Sequence, residues 1–170
     1  LRRLNGASMN TQDFLTVVLP TAGRGFYCAV ELPTKAQTFV KDVATLDNTT
    51  LLASIGQREA YFALATFQNE GNRRAGNALA VRSLFVDIDC GQGKAYATKR
   101  LAITALQDFL TTTGLVHLGQ PWLVDSGGGV HGYWPFDEDV CIEDWRPVAE
   151  AFKRTASRLG LKIDMTVTAD

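Results

Sequence analysis

The alternation of apolar and polar residues is clearest in the second half of the chain. Ser83 to Asp89 is a compact apolar run closed by carboxylates, and it predicts a strand. Between Ala97 and Thr113, Leu101, Ala102, Ala105, Leu106, Phe109 and Leu110 recur at helical spacing, with Gly114 as the stop. Two short runs, Pro121 to Asp125 and Val130 to Phe136, flank Gly127-Gly128-Gly129 and predict strands joined by a hairpin. A second helical stripe follows, carried by Trp145, Val148, Ala149, Phe152, Ala156 and Leu159 and ended by Gly160.

The predicted order is therefore β-α-β-β-α, followed by the segment Leu161 to Asp170. That order fits an α+β fold with an antiparallel-sheet core, two helices on one face and the other face open. This is the split-βαβ plan of RNA-recognition-like (RRM-like) folds. The first half is harder to read. Gly25 to Leu32 predicts a strand closed by Pro33, and Thr38 to Gln57 one or two helices with Asn48 or Thr49 as a cap at a break. Ala60 to Phe67 predicts one buried strand, and the polar, basic stretch Glu70 to Gly76 a surface loop. The expected organisation is an N-terminal αβ lobe over residues 1–80 packed on a core over 81–170, together making one domain.

Composition narrows the function classes only slightly. The chain has 170 residues, 46% of them hydrophobic, and a formal net charge of -1, which disfavours a tail-driven, histone-like nucleic-acid binder. An enzyme with its positive charge confined to one groove remains open, since an acidic metal site elsewhere cancels in the sum. Cys28, Cys90 and Cys141 form no Cys-x-x-Cys pair, which suits reduced thiols in the cytoplasm rather than a disulfide scaffold or structural zinc. The longest apolar runs are too short to cross a bilayer, and the first residues lack the apolar core of a signal peptide.

Three segments could carry chemistry. In Phe85-Val86-Asp87-Ile88-Asp89, residues two apart on a strand share a face, so Asp87 and Asp89 would project together. Paired anions repel unless a cation lies between them, and Mg²⁺ or Mn²⁺ with oxygen ligands fills that role; two such ions about 3.5–4 Å apart can clamp a phosphoryl displacement. An isolated Asp-x-Asp is more often a strand end with one Asp facing solvent and the other capping the Gly91-Gln92-Gly93 turn. The second segment is Asp125-Ser126-Gly127-Gly128-Gly129-Val130-His131. Consecutive glycines allow close backbone approach and can aim N–H groups at an anion, with Ser126 and His131 as donors at the rims. The plain alternative is a Gly-rich hairpin with a half-buried histidine. Third, Asp164 follows the second predicted helix and could join the acid pair as a metal ligand; Asp170 is a further acid at the chain end.

In this order, the acid pair, the Ser-Gly turn leading to His131, Tyr133 and Trp134, and Ile163 with Asp164 together resemble the archaeo-eukaryotic primase superfamily. The closest likeness is to phage- and plasmid-type DNA primase-polymerases, often joined to a replicative helicase. The resemblance runs from about Tyr61 to the end of the chain. It implies that Asp87, Asp89 and Asp164 hold two catalytic Mg²⁺ or Mn²⁺ ions. It also implies that Ser126, Gly127, Gly128, Gly129 and His131 bind the incoming NTP or dNTP on a single-stranded DNA template. Lys94, across a Gly turn from the acid pair, and Arg82, ahead of the strand, are lesser candidates for phosphate contact. Such proteins continue beyond the third acid into an arginine-containing segment with a Pro-Gly turn, so part of the nucleotide site would lie past Asp170. The implied setting is cytoplasmic, in a bacterial host if phage-encoded, with no membrane association.

Two rival readings use the same residues differently. A metal-dependent nuclease or phosphoesterase would employ the same acids. A non-catalytic single-stranded nucleic-acid-binding module would instead need exposed aromatics where Asp87 and Asp89 stand. Arg73, Arg74, Lys99, Arg100, Lys153, Arg154, Arg158 and Lys162 could line a template path but read more simply as solvated charges. Trp122 and Trp134 could stack on bases, whereas Trp145 lies on the helical core stripe.

Overall fold

A computed structural model describes residues 9–56 and 59–165. The fold is α+β, and the described residues form a three-stranded sheet, a four-stranded sheet and four α-helices. Among the described residues no helix is long and apolar enough to cross a membrane. The chain divides into two compact units. One holds Leu84–Trp134 and the chain from Arg146 on; the other holds Asn10–Ser83 and Pro135–Trp145.

The second unit opens on helix α1 (Thr11–Val18), which the sequence pattern does not announce because it is only eight residues long. Its start is set by Asn10, whose side chain accepts the Asp13 N–H at 2.8 Å, and it buries Phe14, Leu15 and Val18. Strand β1 (Tyr27–Glu31) pairs antiparallel with β2 (Ala36–Val40), Ala29 facing Thr38. The sequence assigns Thr38 to Val40 to a helix; β-branched and aromatic residues opposite β1 make it a strand instead. Helix α2 (Val43–Ile55) starts only after Asp42, which accepts the Thr45 N–H at 2.7 Å. Asn48 and Thr49 therefore lie inside one helix and cap no break.

The single strand expected over Ala60 to Phe67 is in fact two. β3 (Ala60–Phe62) pairs with β1, whereas β4 (Ala65–Phe67) pairs with the first part of β5 (Ala78–Asp89). Each half takes its hydrogen bonds from a different partner, so the run must bend at Ala63 and Leu64. The polar loop over 70–76 is present and is organised by Asn77, whose side chain donates to the carbonyls of Asn69 and Asn72.

The first unit follows the predicted order closely. Its half of β5 is followed by α3 (Lys99–Thr113), β6 (Trp122–Asp125), the first half of β7 (Gly129–Cys141) and α4 (Ile142–Arg158). In the sheet order β4-β5-β7-β6, β7 lies between β5 and β6, which is the split-βαβ arrangement. β6 and β7 pair antiparallel, Trp122 opposite Tyr133 and Asp125 opposite Val130. Thr98 caps α3 and Gly114, in the left-handed conformation, ends it.

Both helices pack on one face. There Phe152 meets Phe109 and Trp134 at ring-centroid distances of 5.4 and 5.7 Å. Of the predicted stripes, Ala102, Leu106, Phe109, Leu110, Ala149, Phe152 and Ala156 are buried, while Leu101, Val148 and Leu159 are exposed. Trp134, a candidate base-stacking residue in the sequence, belongs to this core, and its Nε1 donates to the Gly119 carbonyl at 3.2 Å. Trp145 is buried as expected, donating to the Ser83 carbonyl at 3.1 Å.

Two glycines of the hairpin differ in what they must satisfy. A Cβ on Gly129 would sit 2.4 Å from the Ile88 carbonyl oxygen, because β7 presses against β5 there, whereas one on Gly128 would meet nothing within 4 Å. Gly129→Ala is therefore expected to cost about 2 kcal/mol or more of folding stability, and Gly128→Ala to stay within about 0.5 kcal/mol, both read by urea denaturation.

Candidate functional site

On the sheet face away from the helices, β5 presents Phe85, Asp87 and Asp89, and β7 presents His131 and Tyr133. The alternation follows from the two-residue repeat of a strand, since Val86 and Ile88 turn into the helical core. Phe85 forms the floor, with its ring 5.3 Å from that of His131 and 5.0 Å from that of Tyr133. Above it, His131 Nε2 lies 3.4 Å from Asp87 Oδ1, and Nδ1 lies 3.3 Å from the Tyr133 hydroxyl. The neutral tautomer that satisfies both contacts carries its proton on Nε2 and accepts the tyrosine proton at Nδ1. Burial, and secondarily the charge of Asp87, pushes the Tyr133 pKa well above its usual value, so this hydroxyl keeps its proton.

Asp89 is more exposed than Asp87, with side-chain accessibilities of 53% and 19%. Its partner is Lys94, whose Nζ lies 2.7 Å from Asp89 Oδ2. The hydrogen bond and charge of Asp89 raise the Lys94 pKa, and the charges of Asp164 and Asp87 add to the effect. Lys94 thus feels all three acids singled out by the sequence.

The third acid reaches this neighbourhood through its backbone. The Asp164 N–H donates to the Asp87 carbonyl at 2.8 Å, which brings the chain after α4 alongside the end of β5. Three further contacts hold that segment. Leu161 is buried, the Lys162 N–H donates to the Tyr96 hydroxyl at 3.1 Å, and Lys153 Nζ donates to the Met165 carbonyl at 2.6 Å. Lys153 is buried rather than solvated, so the expected basic face loses one member to this anchor. Asp170 lies outside the described residues.

The glycine turn is engaged mainly with its own protein. Its sequence suggests N–H groups aimed at a phosphate, but the Ser126 N–H donates to the Gly129 carbonyl and the Gly127 N–H to Asp125 Oδ1 at 2.8 Å. That carboxylate also accepts from Lys99 Nζ at 2.5 Å, and the Cys90 N–H donates to the Gly128 carbonyl. The anion held by the turn is therefore Asp125. An Asp two residues ahead of a glycine is the sequence mark of such a turn, though nothing local announces Lys99. Ser126, Gly127 and Gly128 are exposed, whereas Gly129 is buried against β5. Arg82 belongs to the other unit, where its guanidinium donates to Thr21 Oγ1 and to the carbonyls of Phe136 and Asp137, close to Asp139.

The donor chemistry at the end of β5 suits a hard divalent cation. Two carboxylates share a face, both reach solvent, and each already has a proton donor or a cation beside it. Among the described residues, no group of three or more His, Cys, Asp or Glu side chains is close enough to hold a metal ion. Comparison with known proteins brings no relative: no family model, no curated protein and no solved structure matches the chain.

The Asp125 contacts lead to a stability test. Asp125→Ala removes a charge-assisted bond from Lys99 and the acceptor of the Gly127 N–H, and is expected to cost about 1–2 kcal/mol. Amide hydrogen exchange should accelerate at Gly127 more than at residues in the middle of β6.

Proposed function

We propose that this chain performs template-directed nucleotidyl transfer, as the catalytic domain of a DNA primase-polymerase acting on single-stranded DNA with nucleoside triphosphates. The observation that carries the proposal is the meeting, at one end of β5, of Asp87, Asp89, His131 and the Asp164 backbone on an antiparallel split-βαβ sheet. The likeness of those residues, in that order, to the archaeo-eukaryotic primase superfamily supports the same reading. So does the position of the glycine hairpin, whose Gly128 carbonyl is tied to Cys90, the residue after Asp89.

In this reading Asp87 and Asp89 would hold Mg²⁺ or Mn²⁺. Asp164, carried to the strand end by its backbone bond to Asp87, would add a third carboxylate only by turning its side chain toward theirs. When bound, the ions lower the pKa of the attacking 3′-hydroxyl and offset the charge of the leaving pyrophosphate. The rest of the work belongs to the chain itself. Phe85 and Tyr133 fix the imidazole of His131 beside Asp87, so the one proton it could offer a phosphate oxygen is the Nε2 proton that now faces Asp87. The ring need not lose conformational freedom to offer it. Ser126, exposed at the rim of the turn, offers a hydroxyl to the same phosphates. Most of the rate enhancement would come from positioning and charge stabilisation. A replicative helicase is the protein partner this activity implies, and the cytoplasm its place.

The test is extension and primer synthesis on single-stranded DNA with labelled nucleotides and Mn²⁺ or Mg²⁺. Asp87→Asn and Asp89→Asn are expected to lower product formation at least about 100-fold with folding intact by circular dichroism. Undiminished synthesis by both variants would refute the assignment, and strands that shorten instead of lengthening would point to a phosphoesterase.

A further inference from the structure

This inference rests on the nucleotidyl-transfer reading and concerns how the acid pair is kept before any ion or nucleotide arrives. Two carboxylates on one strand face repel each other, and this chain supplies its own relief: His131 beside Asp87 and Lys94 on Asp89. Asp87 is largely enclosed, whereas Asp89 and Lys94 are each about half exposed, at 53% and 50%. A pair so open to water is weak and readily exchanged. A divalent ion carries twice the charge of an ammonium, and so competes well for the same oxygen.

The backbone that brings Lys94 to Asp89 is specified closely. Gly91 and Gly93 adopt φ values of 125° and 76°, in the region that favours glycine. The Lys94 N–H donates to the Gly91 carbonyl at 3.2 Å, and the Gly91 N–H to the Tyr96 carbonyl at 2.9 Å, which closes the loop back on the strand end. The Tyr96 hydroxyl in turn accepts the Lys162 N–H, two residues before Asp164. The loop that aims Lys94 and the segment that delivers the third acid are thereby tied together.

We propose that Lys94 is a resident counter-cation. Its ammonium occupies Asp89 until a divalent ion binds, and then passes to the phosphates of the nucleotide that accompanies the ion. The loop fixes where the four-carbon stem begins, and the stem is flexible enough to swing from a carboxylate to an anion placed beside it. The consequence has two opposite signs. Without the ammonium, bare metal should bind more tightly, because a competitor and a repelling charge are gone, while nucleotide should bind more weakly. A residue that merely supported the fold would move both affinities the same way.

The measurement is isothermal titration of the full chain at fixed pH and low salt, first with Mn²⁺ alone, then with an α,β-methylene nucleoside triphosphate at saturating Mn²⁺. Lys94→Gln is expected to bind Mn²⁺ about three- to tenfold more tightly, an advantage that shrinks as salt is raised. The same variant should bind the nucleotide about three- to tenfold more weakly. Lys94→Arg, which keeps the charge, should stay near wild type in both titrations. Unchanged or weaker Mn²⁺ binding by Lys94→Gln would overturn the proposal while leaving the metal site standing. Tighter Mn²⁺ binding without loss of nucleotide affinity would overturn the hand-over. A wild-type chain that binds no Mn²⁺ at millimolar concentration would overturn both the proposal and the reading beneath it.

Discussion

Charge compensation at the end of β5 is the constraint around which the rest of the first unit is arranged. A strand places Asp87 and Asp89 on one face by its two-residue repeat, so their repulsion is built in and must be met by positive or proton-bearing groups. The chain meets it from two directions. β7 brings His131 to Asp87, and the glycine loop after the strand folds Lys94 onto Asp89. His131 comes near Asp87 only when β7 joins the sheet, and Lys94 comes near Asp89 only when the local glycine loop closes, so this corner of the site combines tertiary pairing with a turn.

Packing explains why these groups can be held steadily. The helix face is filled by Val86, Ile88, Leu106, Phe109, Trp134 and Phe152, which leaves the opposite face to carry polar groups on a rigid sheet. β7 can lie against β5 only because residue 129 has no side chain. Tyr133 keeps its proton through burial and steadies the far side of the imidazole. The Tyr96 hydroxyl, accepting from the Lys162 N–H, and the Lys153 ammonium, donating to the Met165 carbonyl, hold the segment containing Asp164 against the strand. Such contacts distinguish an acid pair held at a defined place from two acids on a mobile rim.

Much of the first unit is legible in the sequence because its signals are local and repetitive. The stripes of α3 and α4, the Gly114 stop and the glycine hairpin all follow from periodicity and turn chemistry. The N-terminal half is less legible for physical reasons. α1 is too short to show a period, Thr38 to Val40 becomes strand through pairing with β1, and the run over 60–67 divides because its halves bond to different strands. At the site, motif order puts the acid strand next to the glycine turn, but it assigns His131 and Lys94 to phosphate and does not foresee their contacts with Asp87 and Asp89. The engagement of Asp125 by Lys99 and the bond from Lys153 to the Met165 carbonyl depend on contacts across 26 and 12 residues that no local pattern encodes.

The most direct test of the central claim is crystallographic. Crystals of the chain soaked in Mn²⁺ with a non-hydrolysable nucleoside triphosphate should give an anomalous peak within coordination distance of carboxylate oxygens from both Asp87 and Asp89, with the phosphates on the His131 side. Anomalous density confined to other carboxylates, with Lys94 still seated on Asp89, would contradict the account.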